Sequence, residues 1–252
     1  MTKHLIYDKM ISSQCIRSEI MEHTQFNQNE ATVLEQYKKA RIDMRSGKNE
    51  EIEQAKAVFL RLGDYRNCAD LAQKCEMMLT FQLGNTVSFG AYRGESIRWK
   101  VVEQRGKMRM LLAQDIVFEM PYNELRTDVS WQTTTLRKWL NHDFLKETLT
   151  DAQRPLVIST RRTNEPNEQF FTNAGLTTMD KVFILSKREL DIYLPEAQDR
   201  ALGKWWWLRT PGDNLLAAEA VDADGSVYLH GININYAQGG VRPAMWVLLR
   251  DY

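Results

Sequence analysis

Apolar and charged positions near the start of the chain alternate with a helical period. Leu34, Tyr37, Lys38 and Arg41 recur at helical spacing, as do Ile52, Ala55, Val58, Phe59 and Leu62, with charged residues between them. Gly47 and Gly63 stand where such helices stop, and Asp64 is placed to cap a further helix, Asp64 to Thr80. Three amphipathic helices are predicted, after a first segment whose pattern is less regular.

Beyond Gly84 the period shortens. Thr86–Phe89, Ser96–Gln104 and Met108–Ala113 read as strands, the last two joined by a turn at Gly106. A helix is predicted over Thr134–Phe144, with Leu136, Trp139, Leu140 and Phe144 on one face, and a second near Asp151, boxed by Thr150 and Gln153. Leu156–Thr160 reads as a strand. Arg161–Thr178, with Asn164, Pro166, Asn167, Asn173 and Gly175, reads as a long surface loop. Strand Lys181–Leu185 then leads into a helix opened by the capping box of Ser186 and Glu189. The final third is a meander of Trp205–Arg209, Glu219–Ala223, Ser226–His230 and Val241–Leu249, with Asp224-Gly225 as a two-residue hairpin turn. Trp205, Trp206 and Trp207 are consecutive, so in a strand they cannot all face one side.

Composition adds a boundary. All seven tryptophans and all six prolines follow Leu83, whereas the first 80 residues are rich in helix formers. The expected organisation is α+β: a small all-α segment over 1–82, then a domain of short antiparallel strands and a few helices over 83–252. Lys+Arg and Asp+Glu both total 33, so no net field favours nucleic acid. Neither a secretory signal nor a membrane span is legible, and the expectation is a soluble cytoplasmic protein with no membrane partner. Cys15, Cys68 and Cys75 form no CxxC pair and are expected to be free, partly buried thiols.

Six segments, Gly84–Gly90 with Tyr92, Ile97–Val102, Leu136–Asn141, Asp180–Ser186, Trp206–Gly212 and Gly240–Trp246, follow one another across residues 83–252. Together they resemble a bacterial domain family of the C-type-lectin-like and sulfatase-modifying-factor fold. Upstream, Ala55, Phe59 and the run Leu62–Tyr65 resemble the second helix of a tetratricopeptide-type repeat. The resemblance implies a C-type-lectin-like domain whose ligands meet the stretch from Trp205 to Tyr236. Its enzymatic relative, the formylglycine-generating oxidase, works through active-site cysteines, and none lies between Leu83 and Tyr252.

Candidate chemistry is sparse. The four histidines, His4, His23, His142 and His230, show no metal-ligand spacing, and Asp222–Ser226 lacks the further oxygen ligands of a calcium loop. Glu165-Pro166-Asn167 matches the triplet with which calcium-dependent lectins hold sugars, but it falls in the polar mid-domain loop. No catalytic residue, metal or cofactor is expected. The candidate ligand-binding residues are Trp205, Asp213, Asn214, Tyr228, His230, Asn233, Asn235 and Tyr236, since Tyr and Asn combine contact area with adaptable hydrogen bonding. Arg209 and Arg242 are expected to be buried, paired and structural, fastening the loops Pro211–Leu215 and Gln238–Gly240.

The function expected is non-enzymatic recognition of a protein or glycan, with the N-terminal helices serving self-association or partner docking. One version makes the chain the variable protein of a diversity-generating retroelement. Two alternatives stand beside it: a carboxylate-dependent hydrolase or transferase using Asp128, Asp180 or Glu165, and a structural subunit of a bacterial or phage-derived assembly.

Overall fold

The computed structural model of the chain describes residues 29–249. The irregular first segment, Cys15, His4 and His23 lie outside the described residues. The chain divides into two compact units, with the division between Leu79 and Thr80 in sequence.

The first unit is built from helices α1 (29–43), α2 (Asn49–Leu62) and α3 (Cys68–Thr80). Their apolar stripes enclose one core, in which Tyr37, Ala40, Met44, Ile52, Ala55, Phe59, Cys68, Leu71 and Cys75 are all buried. The buried face of α1 is therefore Tyr37 and Ala40, continued by Met44 just past its end, and Lys38 of the predicted stripe is exposed. Gly63 ends α2, its N–H donating to the Phe59 carbonyl at 3.1 Å. The helix predicted from Asp64 starts instead at Cys68. A turn through Arg66, whose φ is 52°, uses up the intervening residues, and Leu71 N–H reaches back to the Asn67 carbonyl. Cys68 and Cys75 are free and buried, and burial pushes the Cys75 thiol up to about 11, which leaves it a protonated core residue.

The second unit is α+β. Strands β1 (Thr86–Tyr92), β2 (Glu95–Arg105), β3 (Met108–Ala113), β5 (Val157–Ile158), β8 (Val182–Phe183) and β13 (Ala244–Leu248) form a six-stranded sheet ordered β1-β2-β3-β13-β5, with β8 also on β13. A five-stranded sheet holds β4 (Phe118–Glu119), β9 (Trp206–Pro211), β10 (Ala217–Val221), β11 (Val227–Asn233) and β12 (Gly240–Val241), ordered β11-β10-β9-β12-β4. Pairing is antiparallel except between β12 and β9. A ribbon of β6 (Thr160–Arg162) and β7 (Thr178–Asp180) completes the strands.

The single strand predicted over Val241–Leu249 is two strands in different sheets. Pro243 has no N–H for a ladder, so the chain leaves the five-stranded sheet at Val241 and enters the six-stranded one at Ala244. Its carbonyl still accepts from Ala113 N–H at 2.9 Å. The predicted strand over Lys181–Leu185 shortens to Val182–Phe183, and that over Leu156–Thr160 divides between β5 and β6.

The helix predicted over Thr134–Phe144 runs as α4 (Thr135–Trp139), a π turn over Leu140–Phe144 and α5 (Leu145–Thr148). Thr134 caps it by accepting from Arg137 N–H. The reciprocal bonds of Thr150 and Gln153 are present, but they lead into a 3-10 turn over Arg154–Leu156, because Pro155 follows too closely for an α-helix. After β8 come α6 (Lys187–Tyr193), opened by the complete Ser186/Glu189 capping box, and α7 (Ala197–Arg200).

The turn at Asp224-Gly225 also differs. Asp222 N–H donates to the Ser226 carbonyl at 2.7 Å, which leaves a three-residue loop, Ala223 to Gly225, with Gly225 at φ 88°. That is the hairpin with a left-handed glycine at its end, and the alternation around it shifts accordingly.

Candidate functional site

Two largely buried ionic clusters, Arg162 and Arg209 on Glu189 and Arg137 on Asp180, join distant segments of the second unit. Arg209 is fully buried in β9. Its guanidinium donates to Asn164 Oδ1 (3.1 Å), the Ile184 carbonyl (2.9 Å), the Thr163 carbonyl (3.0 Å) and the Glu189 carboxylate. Arg162 reaches the other oxygen of Glu189 at 3.0 Å. Burial alone would raise the Glu189 carboxyl, but the two guanidiniums outweigh it and hold it below the usual carboxylate range. Arg209 thus ties residues 163–164 to the start of α6, not the loop Pro211–Leu215.

Arg242 likewise fastens a different element from the one expected. Its Nε donates to the Ala113 carbonyl at the end of β3 (2.8 Å), and its guanidinium lies over the Trp206 ring at 5.1 Å. Burial pushes it down to about 10, and its Nη1 has no partner.

Asp180, offered as a catalytic carboxylate in the hydrolase reading, is fully buried and saturated. It accepts from Trp131 Nε1 (2.9 Å), Arg137 Nε (2.6 Å) and Thr178 Oγ1 (2.7 Å). Asp128 is exposed and Glu165 half-buried. Asn167 of the Glu165-Pro166-Asn167 triplet is not on a surface loop but fully buried. Its Nδ2 contacts Pro211 O (3.0 Å), Glu219 Oε1 (2.9 Å) and Leu229 O (2.8 Å), and its Oδ1 accepts from the N–H groups of Gln169 and Phe170. The loop between β6 and β7 is therefore pinned by an internal amide. Beside it, Glu219 is fully buried with Oε2 unpartnered and no cation in contact, and burial pushes its carboxyl up to about 8. Among the described residues, no three His, Cys, Asp or Glu side chains converge as a metal site.

The sequence-predicted ligand-binding residues fall into two neighbourhoods on the five-stranded sheet. Trp206 and Trp207 are both fully buried, because β9 is covered on both faces. Trp207 Nε1 donates to the Met120 carbonyl at 2.9 Å. Trp205, just before the strand, is half-exposed, edge-on to Trp207 (4.8 Å) and next to Tyr236 (5.8 Å). In the second neighbourhood, Tyr228 and His230 stand two apart on the edge strand β11, 5.9 Å between ring centres. His230 packs on Phe170 (4.6 Å), and its Nδ1 lies 3.5 Å from Asp213 Oδ2. Asn214 Nδ2 donates to Asp213 Oδ1 at 2.7 Å. Asn233 and Asn235 are exposed between the two groups, and Tyr228 and Tyr236 are about half exposed, at 51% and 49%.

A furrow that the periodicity gives no hint of starts at the β1–β2 hairpin and passes the segment 115–119. Its sections have volumes of about 160, 700 and 430 Å3. The first two share Tyr92, Glu95, Asp115, Ile116 and Val117, and the last two share Glu119 and Lys204, so the three adjoin. Half-buried aromatics line it: Tyr92 and Phe118 have ring centres 5.5 Å apart, and Phe118 packs edge-on to Trp139 at 4.6 Å. Arg93, at φ 52°, sets its guanidinium 5.2 Å over the Tyr92 ring. Trp205 closes the far end with Gln238.

Fold and surface together define an α+β domain of two largely antiparallel sheets, internally braced by buried ion pairs and displaying aromatic and amide side chains. The chain belongs to the family described as "Domain of unknown function (DUF6273)", whose model matches residues 107–249. That span runs from the start of β3 through β13. Neither a curated protein nor a solved structure matches the chain. No described helix is long and apolar enough to cross a membrane.

Proposed function

We propose that residues 83–252 form a C-type-lectin-like recognition domain that binds a protein or glycan without transforming it. The observation that carries this reading is the succession of exposed Tyr228, His230, Asn233, Asn235 and Tyr236 along the edge strand β11 and the turn after it. Exposed tyrosines supply large contact area at low entropic cost, and the asparagines supply adaptable hydrogen bonds. Trp205, Asp213 and Asn214 extend that surface. The carboxylate-dependent hydrolase or transferase reading has less behind it. Asp180 has its oxygens occupied by three donors, and Asp128 stands exposed. The helical unit, with its own core, suits docking to a partner or to a second copy, as an assembly subunit also would.

Screening the full chain on glycan and peptide arrays beside a Tyr228→Ala/Asn235→Ala/Tyr236→Ala variant tests the reading. Exposed substitutions of this kind leave folding intact, and a loss of bound signal of about tenfold or more is expected. Hits of undiminished strength on the triple variant would overturn it. For the retroelement version, a near-copy of the DNA encoding Trp205–Trp246, differing only at adenines and lying near a reverse transcriptase, is the observation required.

A further inference from the structure

We propose that the furrow running from Tyr92 past Phe118 to Trp205 binds a neutral oligosaccharide chain. The proposal goes beyond the surface of Tyr228 to Tyr236 and shares only Trp205 with it.

Three properties of the furrow select this class of ligand. Its charged side chains balance: Arg93, Arg98 and Lys204 face Glu95, Asp115 and Glu119. Two of the pairs are already closed, Arg98 to Asp115 at 3.0 Å and Lys204 to Glu119 at 2.8 Å. No net field remains to draw a polyanion or a polycation into it. What the lining offers instead is alternating acceptors and donors, which suits hydroxyl groups that do both.

Next, half-buried aromatic side chains stand at separate points along the furrow, Tyr92 with its hydroxyl at one and Trp205 at the other, and an indole ring is complementary to the polarised C–H face of a sugar. Last, the sections adjoin one another along one stretch of surface, through shared residues from Tyr92 to Val117 and then Glu119 and Lys204, an elongated open shape that suits several linked units better than one compact ligand. An extended peptide adding to the sheet is disfavoured, since the edge strand β4 is only Phe118–Glu119 and has no run of free backbone groups to pair with.

Calorimetry of the full chain with neutral gluco-, xylo- and N-acetylglucosamine oligomers, from disaccharide to hexasaccharide, tests this. Affinity is expected to rise about tenfold or more with length, as successive rings fill successive sections. A Glu95→Gln/Asp115→Asn variant removes charged acceptors at exposed positions with little cost in stability, and should weaken the hexasaccharide about tenfold. Lys146→Ala, at an exposed position of α5 outside both surfaces, should leave it unchanged. The proposal is overturned by no heat from any oligomer at millimolar concentration, by affinity independent of length, by preference for acidic glycans or peptides, or by indifference to the double variant. If the double variant is indifferent while the Tyr228/Asn235/Tyr236 variant loses its array hits, only the furrow is wrong and the recognition surface stands.

Discussion

Glu219 shows how a single side chain departs from what its place in the sequence suggests. An alternating strand pattern puts every second residue toward water, yet β10, an interior strand, is buried at every position because both faces of the sheet are covered there. The acid at its centre has one amide in contact and only the more distant Lys187 as a cation, so burial outweighs that charge and raises its carboxyl from 4.5 to about 8. Between those two values the folded chain holds a proton that the unfolded chain has released, so stability falls as pH rises. Thermal unfolding should show a loss on the order of several kcal/mol across that window, and Glu219→Gln, which keeps the acceptor for Asn167, should flatten it and be the more stable form at pH 8. A wild type whose stability rises over the same window would contradict this. Glu189 acts in the other direction and in a lower window, since its carboxyl sits below the usual range and its contribution is lost only in acid. That Arg209 is buried and paired was legible in the sequence. That its partners are residues 163–164, Ile184 and Glu189 was not, because they lie 20 or more residues away.

At the level of elements, the sequence carries types better than ends. The capping box of Ser186 and Glu189, the β2–β3 hairpin and the helical stripe of Leu136, Leu140 and Phe144 are all present. Strand limits moved where a partner, not the strand's own pattern, decides them. Trp206 and Trp207 alternate faces as strand geometry requires, but both faces are interior, so alternation does not translate into exposure. Close packing around these indoles also explains Gly239. A Cβ there would overlap the Trp207 ring at the nitrogen that donates to Met120. Gly239→Ala should therefore cost about 1–3 kcal/mol, read as a lower urea midpoint with an unchanged slope. An unchanged midpoint would mean that the strand β12 yields more readily than its packing suggests. The three-residue turn ending at Gly225 follows the same logic, for Ala197 O of α7 lies against that glycine.

For the molecule as a whole, the α+β organisation, with helices first and short strands after, could be read from period and composition, since both report how each segment is buried. The candidate surface residues were legible as exposed types. Tyr228, His230, Asn233, Asn235 and Tyr236 are all exposed, but their grouping, with Tyr236 beside Trp205 and with His230 beside Asp213, depends on contacts between residues far apart in the chain. The furrow was not legible at all. Its walls come from the β1–β2 hairpin, segment 115–119 and residues 202–205, which no local pattern joins.

The central claim is recognition without turnover, and nuclear magnetic resonance of the labelled full chain tests it most directly, with any ligand captured on the arrays observed in the same tube. The account predicts amide shifts at Trp205 and across Tyr228 to Tyr236, or along the furrow for a neutral oligosaccharide, while the ligand's own resonances stay those of the intact molecule. New product resonances appearing with time, or shifts centred on Asp128 and Glu165 instead, would contradict it.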